Sequence, residues 1–107
     1  INLSAGVAQM GVQGTSAYAA AKSALWGMTK SNAVENATKN ITINNINLGY
    51  FEIGMGLDMP ADYKKIIMEK IPTKSFGNPE DIIKTINYIK DTPYLNGANI
   101  DLNGAII

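Results

Sequence analysis

No cysteine and no histidine occur in this chain, and each absence closes off a branch of chemistry. Without thiols there are no disulfides, no thiolate metal sites and no thiol nucleophile. Without imidazole, serine–histidine hydrolysis and the commonest nitrogen ligand of metals are gone, so no metal site is expected. Tyrosine, lysine and the carboxylates are left as proton carriers. Charge of one sign is lacking too, since nine basic side chains balance nine acidic ones. That balance leaves no electrostatic footprint for nucleic acid or an anionic membrane, and neither is expected as a partner. No apolar run reaches the length of a membrane span, and the first residues do not read as a signal peptide. A chain free of cysteine fits the cytoplasm.

What is present suffices for one ordinary domain at most: 107 residues, 46% hydrophobic and 17% charged, enough for a core with little to spare. Ile1-Asn2-Leu3-Ser4 reads as the end of a buried strand with no initiating methionine. We therefore expect a piece of a longer polypeptide.

The coarse order is strand, helix, strand, lid, helix, strand. Residues 1–4 end a strand, and 5–15, with three glycines, form a loop. Ser16 reads as the N-cap of a long helix reaching about Thr38. Leu25, Met28 and Val34 form its apolar face, with Trp26 off that stripe and Gly27 suited to close packing of another backbone. Ile41–Leu48 is β-branched and partly alternating, a strand ended by Gly49. Residues 49–60 are loop-like and 61–71 helical. Asn78-Pro79-Glu80-Asp81 starts a helix with a cap, a proline at the first position and acids beside the positive helix end. Ile82, Ile83, Ile86 and Ile89 form its buried face. Ala98–Leu102 is a last strand closed by Asn103-Gly104. Strands separated by helices predict right-handed βαβ units in a parallel sheet, with ligands at the carboxyl ends of the strands: 4–15, 48–56 and 103–107.

Within the long helix lies Tyr18-Ala19-Ala20-Ala21-Lys22. Four residues apart on a helix is one face, about 6 Å along the axis. There the lysine charge favours the tyrosinate, which suits the phenol to general acid–base work. Alone, the pattern arises often by chance.

Three further signals stand with it in order: the strand turn Ile46-Asn47-Leu48-Gly49, the run Phe76-Gly77-Asn78-Pro79-Glu80-Asp81-Ile82, and Leu95-Asn96-Gly97 through Asp101-Leu102-Asn103-Gly104. Together they resemble the C-terminal, catalytic half of the classical short-chain dehydrogenase/reductase family, over essentially the whole chain. The pattern is most similar to 3-oxoacyl-carrier-protein reductases.

The resemblance implies the C-terminal half of a Rossmann-type, doubly wound parallel α/β sheet, with residues 1–107 as the catalytic half and 54–71 as a substrate lid. It implies NAD(P)-dependent reduction of a ketone to a secondary alcohol. Tyr18 would protonate the substrate oxygen, Lys22 would support Tyr18 and bond the nicotinamide ribose, and Ser4 would hold the substrate oxygen. Gly49, Phe51 and Ile53 would meet the nicotinamide. The partners implied are a small carbonyl or alcohol substrate and further copies of the chain, as a dimer or tetramer, with Trp26 suited to that contact.

Three departures matter. Ser4 lies fourteen residues before Tyr18, so a gapless register puts Ala5 at the serine's place: either Ser4 serves after a loop adjustment or the role is empty. The family's Pro-Gly is Leu48-Gly49, and its usual threonine falls at Ile53. The glycine-rich pyrophosphate loop has no counterpart, and neither do the residues that choose between NAD and NADP. Two alternatives stay open: a sugar or polyol dehydrogenase of the same family, and a non-catalytic scaffold or binding relative.

Overall fold

In a computed structural model, which describes residues 1–106, Asn2–Ala5 form strand β1, Asn45–Leu48 strand β2 and Asn99–Leu102 strand β3. The three are parallel and lie side by side in chain order. Helices fill the intervals: the single turn α1 (Val7–Met10), the long α2 (Ser16–Asn36), α3 (Ala61–Lys70) and α4 (Pro79–Lys90). This is the α/β architecture expected, an open parallel sheet with helices between its strands. Local boundaries differ. The loop over 5–15 contains α1, the second strand is paired only from Asn45, and Thr15 occupies the cap position of α2 in place of Ser16.

Register decides what the sheet presents to its helices. Asn2, Asn45 and Asn99 stand side by side, and so do Ser4, Asn47 and Asp101. Because successive strand residues point to opposite faces, one face is wholly polar. The other carries Leu3, Ile46 and Ile100, then Ala5, Leu48 and Leu102. Parallel sheets are ordinarily apolar on both faces, and buried polar groups are costly unless bonded. The polar face therefore needs a covering helix that makes hydrogen bonds.

Helix α2 meets that need. Asn2 Nδ2 donates to Thr29 Oγ1 at 3.0 Å, and Ser4 Oγ to the Lys22 carbonyl at 2.9 Å. Trp26 Nε1 donates to both Ser4 Oγ (2.9 Å) and Asn47 Oδ1 (2.8 Å). Asn47 also accepts from Asn45 Nδ2 at 2.7 Å and donates to Asp101 at 2.7 Å. The expected apolar face of α2 is corrected accordingly. Thr29 and Ala33 are the buried residues, while Met28 and Val34 are exposed. Trp26 faces the sheet instead of waiting for another helix, and open space, not packed backbone, lies beside Gly27.

Helix α4 lies over the apolar face, where Ile82 shares a cavity with Leu3, Ala5 and Leu48. Its start is as expected: Asn78 Oδ1 accepts from the Glu80 N–H at 2.9 Å, with Pro79 next. Ile89 is buried and Ile82 half-buried, but Ile83 and Ile86 are exposed, a narrower stripe than the four isoleucines predict. Both crossovers step the same way along the sheet and pass over opposite faces. They have opposite hands, so they cannot both be the right-handed units expected. A separate apolar cluster, Ile67, Ile71 and Ile106 with Met59, Phe76 and Tyr50, ties α3 to the carboxyl ends of the strands.

Candidate active site

A cavity of about 400 Å³ opens at the carboxyl ends of β1 and β2, where the parallel topology directs a ligand. Ser4, Tyr18, Lys22, Gly49, Phe51 and Ile53, all the site residues expected from the sequence, border it. Residues as far apart in sequence as Ser4 and Ile53 meet because β1 and β2 are paired and α2 starts beside both.

Tyr18 sits in the first turn of α2 and is 39% exposed. One turn on, Lys22 Nζ stands 5.8 Å from the centroid of the Tyr18 ring. It donates to the Leu3 carbonyl at 2.9 Å. Asn2 and Gly6 turn their main-chain N–H groups to β2, so those of Leu3 face the other edge of β1. Lys22 reaches that edge and keeps two ammonium protons for other acceptors.

Ser4 does not offer its hydroxyl to the cavity. It is 3% exposed, donates to the Lys22 carbonyl and accepts from Trp26. The expectation that it holds the substrate oxygen is corrected on that ground: strand alternation turns Ser4 toward α2. The next residue, Ala5, borders the cavity with only a methyl group.

Two close approaches shape the opposite wall. A Cβ on Gly49 would lie 2.6 Å from Asn103 Cα, so only glycine lets the end of β2 run against that of β3. A Cβ on Gly77 would overlap the Phe51 ring, which is buried beneath it. The Gly77 N–H holds the Tyr50 carbonyl at 2.8 Å, and Ile53, 44% exposed, stands at the rim. Val7, Met55, Met59 and Ile82 complete an apolar lining.

Tyr50 borders the same cavity and was missed in the sequence. Burial, and then the nearby phenols of Tyr63 and Tyr18, push its phenol above the ordinary tyrosine value. The available signal was its place, an aromatic directly after the glycine that ends a strand.

A family model described as enoyl-(acyl carrier protein) reductase matches residues 1–104. An acetoacetyl-CoA reductase of Allochromatium vinosum is 35% identical over 108 residues, 99% of this chain and 44% of the relative. A 3-oxoacyl-acyl-carrier-protein reductase FabG of Rickettsia bellii is 35% identical over 109 residues, 100% of this chain and 45% of the relative. Nodulation protein G of Azospirillum brasilense is 32% identical over 108 residues, 99% and 44% of the two. The chain thus spans less than half the length of these curated relatives.

Proposed function

The chain belongs to the short-chain dehydrogenase/reductase family, and we propose that it is the catalytic half of an oxidoreductase that interconverts a ketone and a secondary alcohol using NAD or NADP. The observation that supports this reading is that one cavity at the strand ends is bordered by Tyr18 and Lys22 on one side and by Gly49, Phe51 and Ile53 on the other.

The residues fit the nicotinamide end of the cofactor. Phe51 and Ile53 offer apolar walls to a flat ring, and Lys22 keeps ammonium protons for ribose hydroxyls. Bound there, the nicotinamide supplies or accepts the hydride. Tyr18 gives its proton to the substrate oxygen in reduction and takes it back in oxidation. The positive charge of Lys22 stabilises the phenolate that Tyr18 leaves behind. Among the described residues no glycine-rich strand–helix turn of the pyrophosphate-binding kind occurs.

The substrate class we favour is a 3-oxoacyl thioester. Val7, Met55, Met59 and Ile82 present apolar atoms to whatever lies beside Tyr18, which suits an acyl chain and leaves sugar hydroxyls unbonded. Residues 54–71 act as the lid, bringing Met55 and Met59 to the cavity while Ile67 and Ile71 anchor the segment. Pairing of copies into a dimer or tetramer would use the outward face of α2, where Met28 and Val34 are exposed. The committed hydroxyl of Ser4 favours a second reading, a non-catalytic binding relative.

Tyr18→Phe in the full-length protein separates the two. We expect kcat for a 3-oxoacyl thioester with NADH or NADPH to fall by about 10²-fold or more, with the unfolding midpoint unchanged. A turnover equal to the parent's would remove Tyr18 from the mechanism.

A further inference from the structure

A carbonyl oxygen has two lone pairs, and its negative charge grows as the carbon is reduced. Tyr18 can serve one of them. Besides Tyr18, the cavity is bordered by four side chains that carry a hydroxyl or an ammonium: Ser4, Thr15, Lys22 and Tyr50. The Ser4 proton is committed to the Lys22 carbonyl at 2.9 Å and the Thr15 proton to the Val12 carbonyl at 2.7 Å. Lys22 gives one proton to the Leu3 carbonyl at the edge of β1, and the proposed reading assigns its other two to the ribose hydroxyls. Among the described residues, the Tyr50 hydroxyl bonds to nothing.

We propose that Tyr50 is the second hydrogen-bond donor to the substrate oxygen, so that the site works with two phenols. This rests on the reductase reading above and adds a residue to it. Tyr18 moves the proton and Tyr50 holds the oxygen in place. In reduction the carbonyl carbon gains a hydride from the reduced nicotinamide, the oxygen gains the Tyr18 proton, and Tyr50 keeps its own.

Placement supports this assignment. The Tyr50 carbonyl is held by the Gly77 N–H, and its ring packs 6.3 Å from that of Phe76, centroid to centroid, beside Ile67, Ile71 and Ile106. The phenol is positioned before substrate arrives, which is what makes an oxyanion donor effective. A phenol is protonated at neutral pH, and burial pushes this one further above the ordinary tyrosine value, so it can donate and is a poor base. On the strand side of the cavity Ala5 contributes a methyl group where a hydroxyl could have done the same work.

The test is made on the full-length protein with a 3-oxoacyl thioester and NADH or NADPH. Tyr50→Phe keeps the ring and its packing, so the unfolding midpoint should hold while kcat falls about 10²-fold. Adding Ala5→Ser to Tyr50→Phe returns a hydroxyl from the other wall and should recover at least about tenfold in kcat. Ala5→Ser alone, in the presence of the Tyr50 hydroxyl, is the reference: with Tyr50 as the donor it raises kcat far less than it does in the Tyr50→Phe background, whereas a ring with only a packing role gives the same gain in both. A Tyr50→Phe variant that keeps kcat within about twofold, or a loss that Ala5→Ser does not relieve, overturns the assignment. Failure of the reductase reading looks different: there Tyr18→Phe would leave turnover unchanged.

Discussion

At the scale of single residues, Trp26 connects the sheet to its helix. Its one indole N–H serves two acceptors, Ser4 Oγ and Asn47 Oδ1, in a layer where Ser4, Asn45 and Asn47 are all buried. Trp26→Phe removes that donor while keeping an aromatic ring, so both acceptors lose a bond without gaining water. We expect a loss of about 1–3 kcal/mol, read as a lower midpoint in thermal or denaturant unfolding. Ser4→Ala should likewise cost about 1 kcal/mol through the lost bond to the Lys22 carbonyl. Its kcat should fall far less than that of Tyr50→Phe, because the Ser4 proton is already spoken for. Tyr50 adds a pH dependence. Its folded pKa is raised, chiefly by burial, so the folded state holds the proton more tightly than the unfolded chain. The stabilisation is fully present below the unfolded tyrosine value of about 10 and is lost as pH rises through the folded value. Alkaline unfolding followed by circular dichroism should be steeper for the parent than for Tyr50→Phe.

At the scale of elements, α4 and α2 show two kinds of legibility. The start of α4 is written in adjacent residues: Asn78 caps, Pro79 presets the first turn, and Glu80 and Asp81 face the positive helix end. Local rules suffice, and Asn78→Ala should cost about 1 kcal/mol in a denaturant titration. The buried face of α2 depends on partners far away in the chain. Read alone, Leu25, Met28 and Val34 look like its core side. The register of three strands decides otherwise, because it lines Asn2, Asn45 and Asn99, then Ser4, Asn47 and Asp101, on one surface, and α2 covers the part of it that β1 and β2 contribute. A polar surface selects Thr29, Trp26 and the Lys22 carbonyl over methionine and valine. The Asn45 and Asn99 Oδ1 atoms remain buried without partners, so this layer is not fully satisfied even so.

For the whole molecule, the cavity exists where β1, α2, the turn after β2 and the segment carrying Met55 and Met59 converge. On the proposed reading, in which the chain offers contacts to the nicotinamide end alone, we expect the 107-residue chain by itself to bind NADH or NADPH no more tightly than about millimolar, roughly −4 kcal/mol. Calorimetric titration checks this, and micromolar binding would show that these residues hold the pyrophosphate as well. The sequence by itself determined the order of the elements, the parallel sheet, the helix that carries Tyr18 and Lys22, and the family. The elements follow from period, caps and spacing, which act between near neighbours, and the family from the resemblance of its motifs. Tertiary structure alone decided that Ser4 turns its hydroxyl into the sheet–helix interior, that Trp26 faces the strands, and that Tyr50 borders the cavity with Tyr18. The physical reason is strand alternation and register: which face a side chain takes, and what it meets there, depends on contacts between residues tens of positions apart.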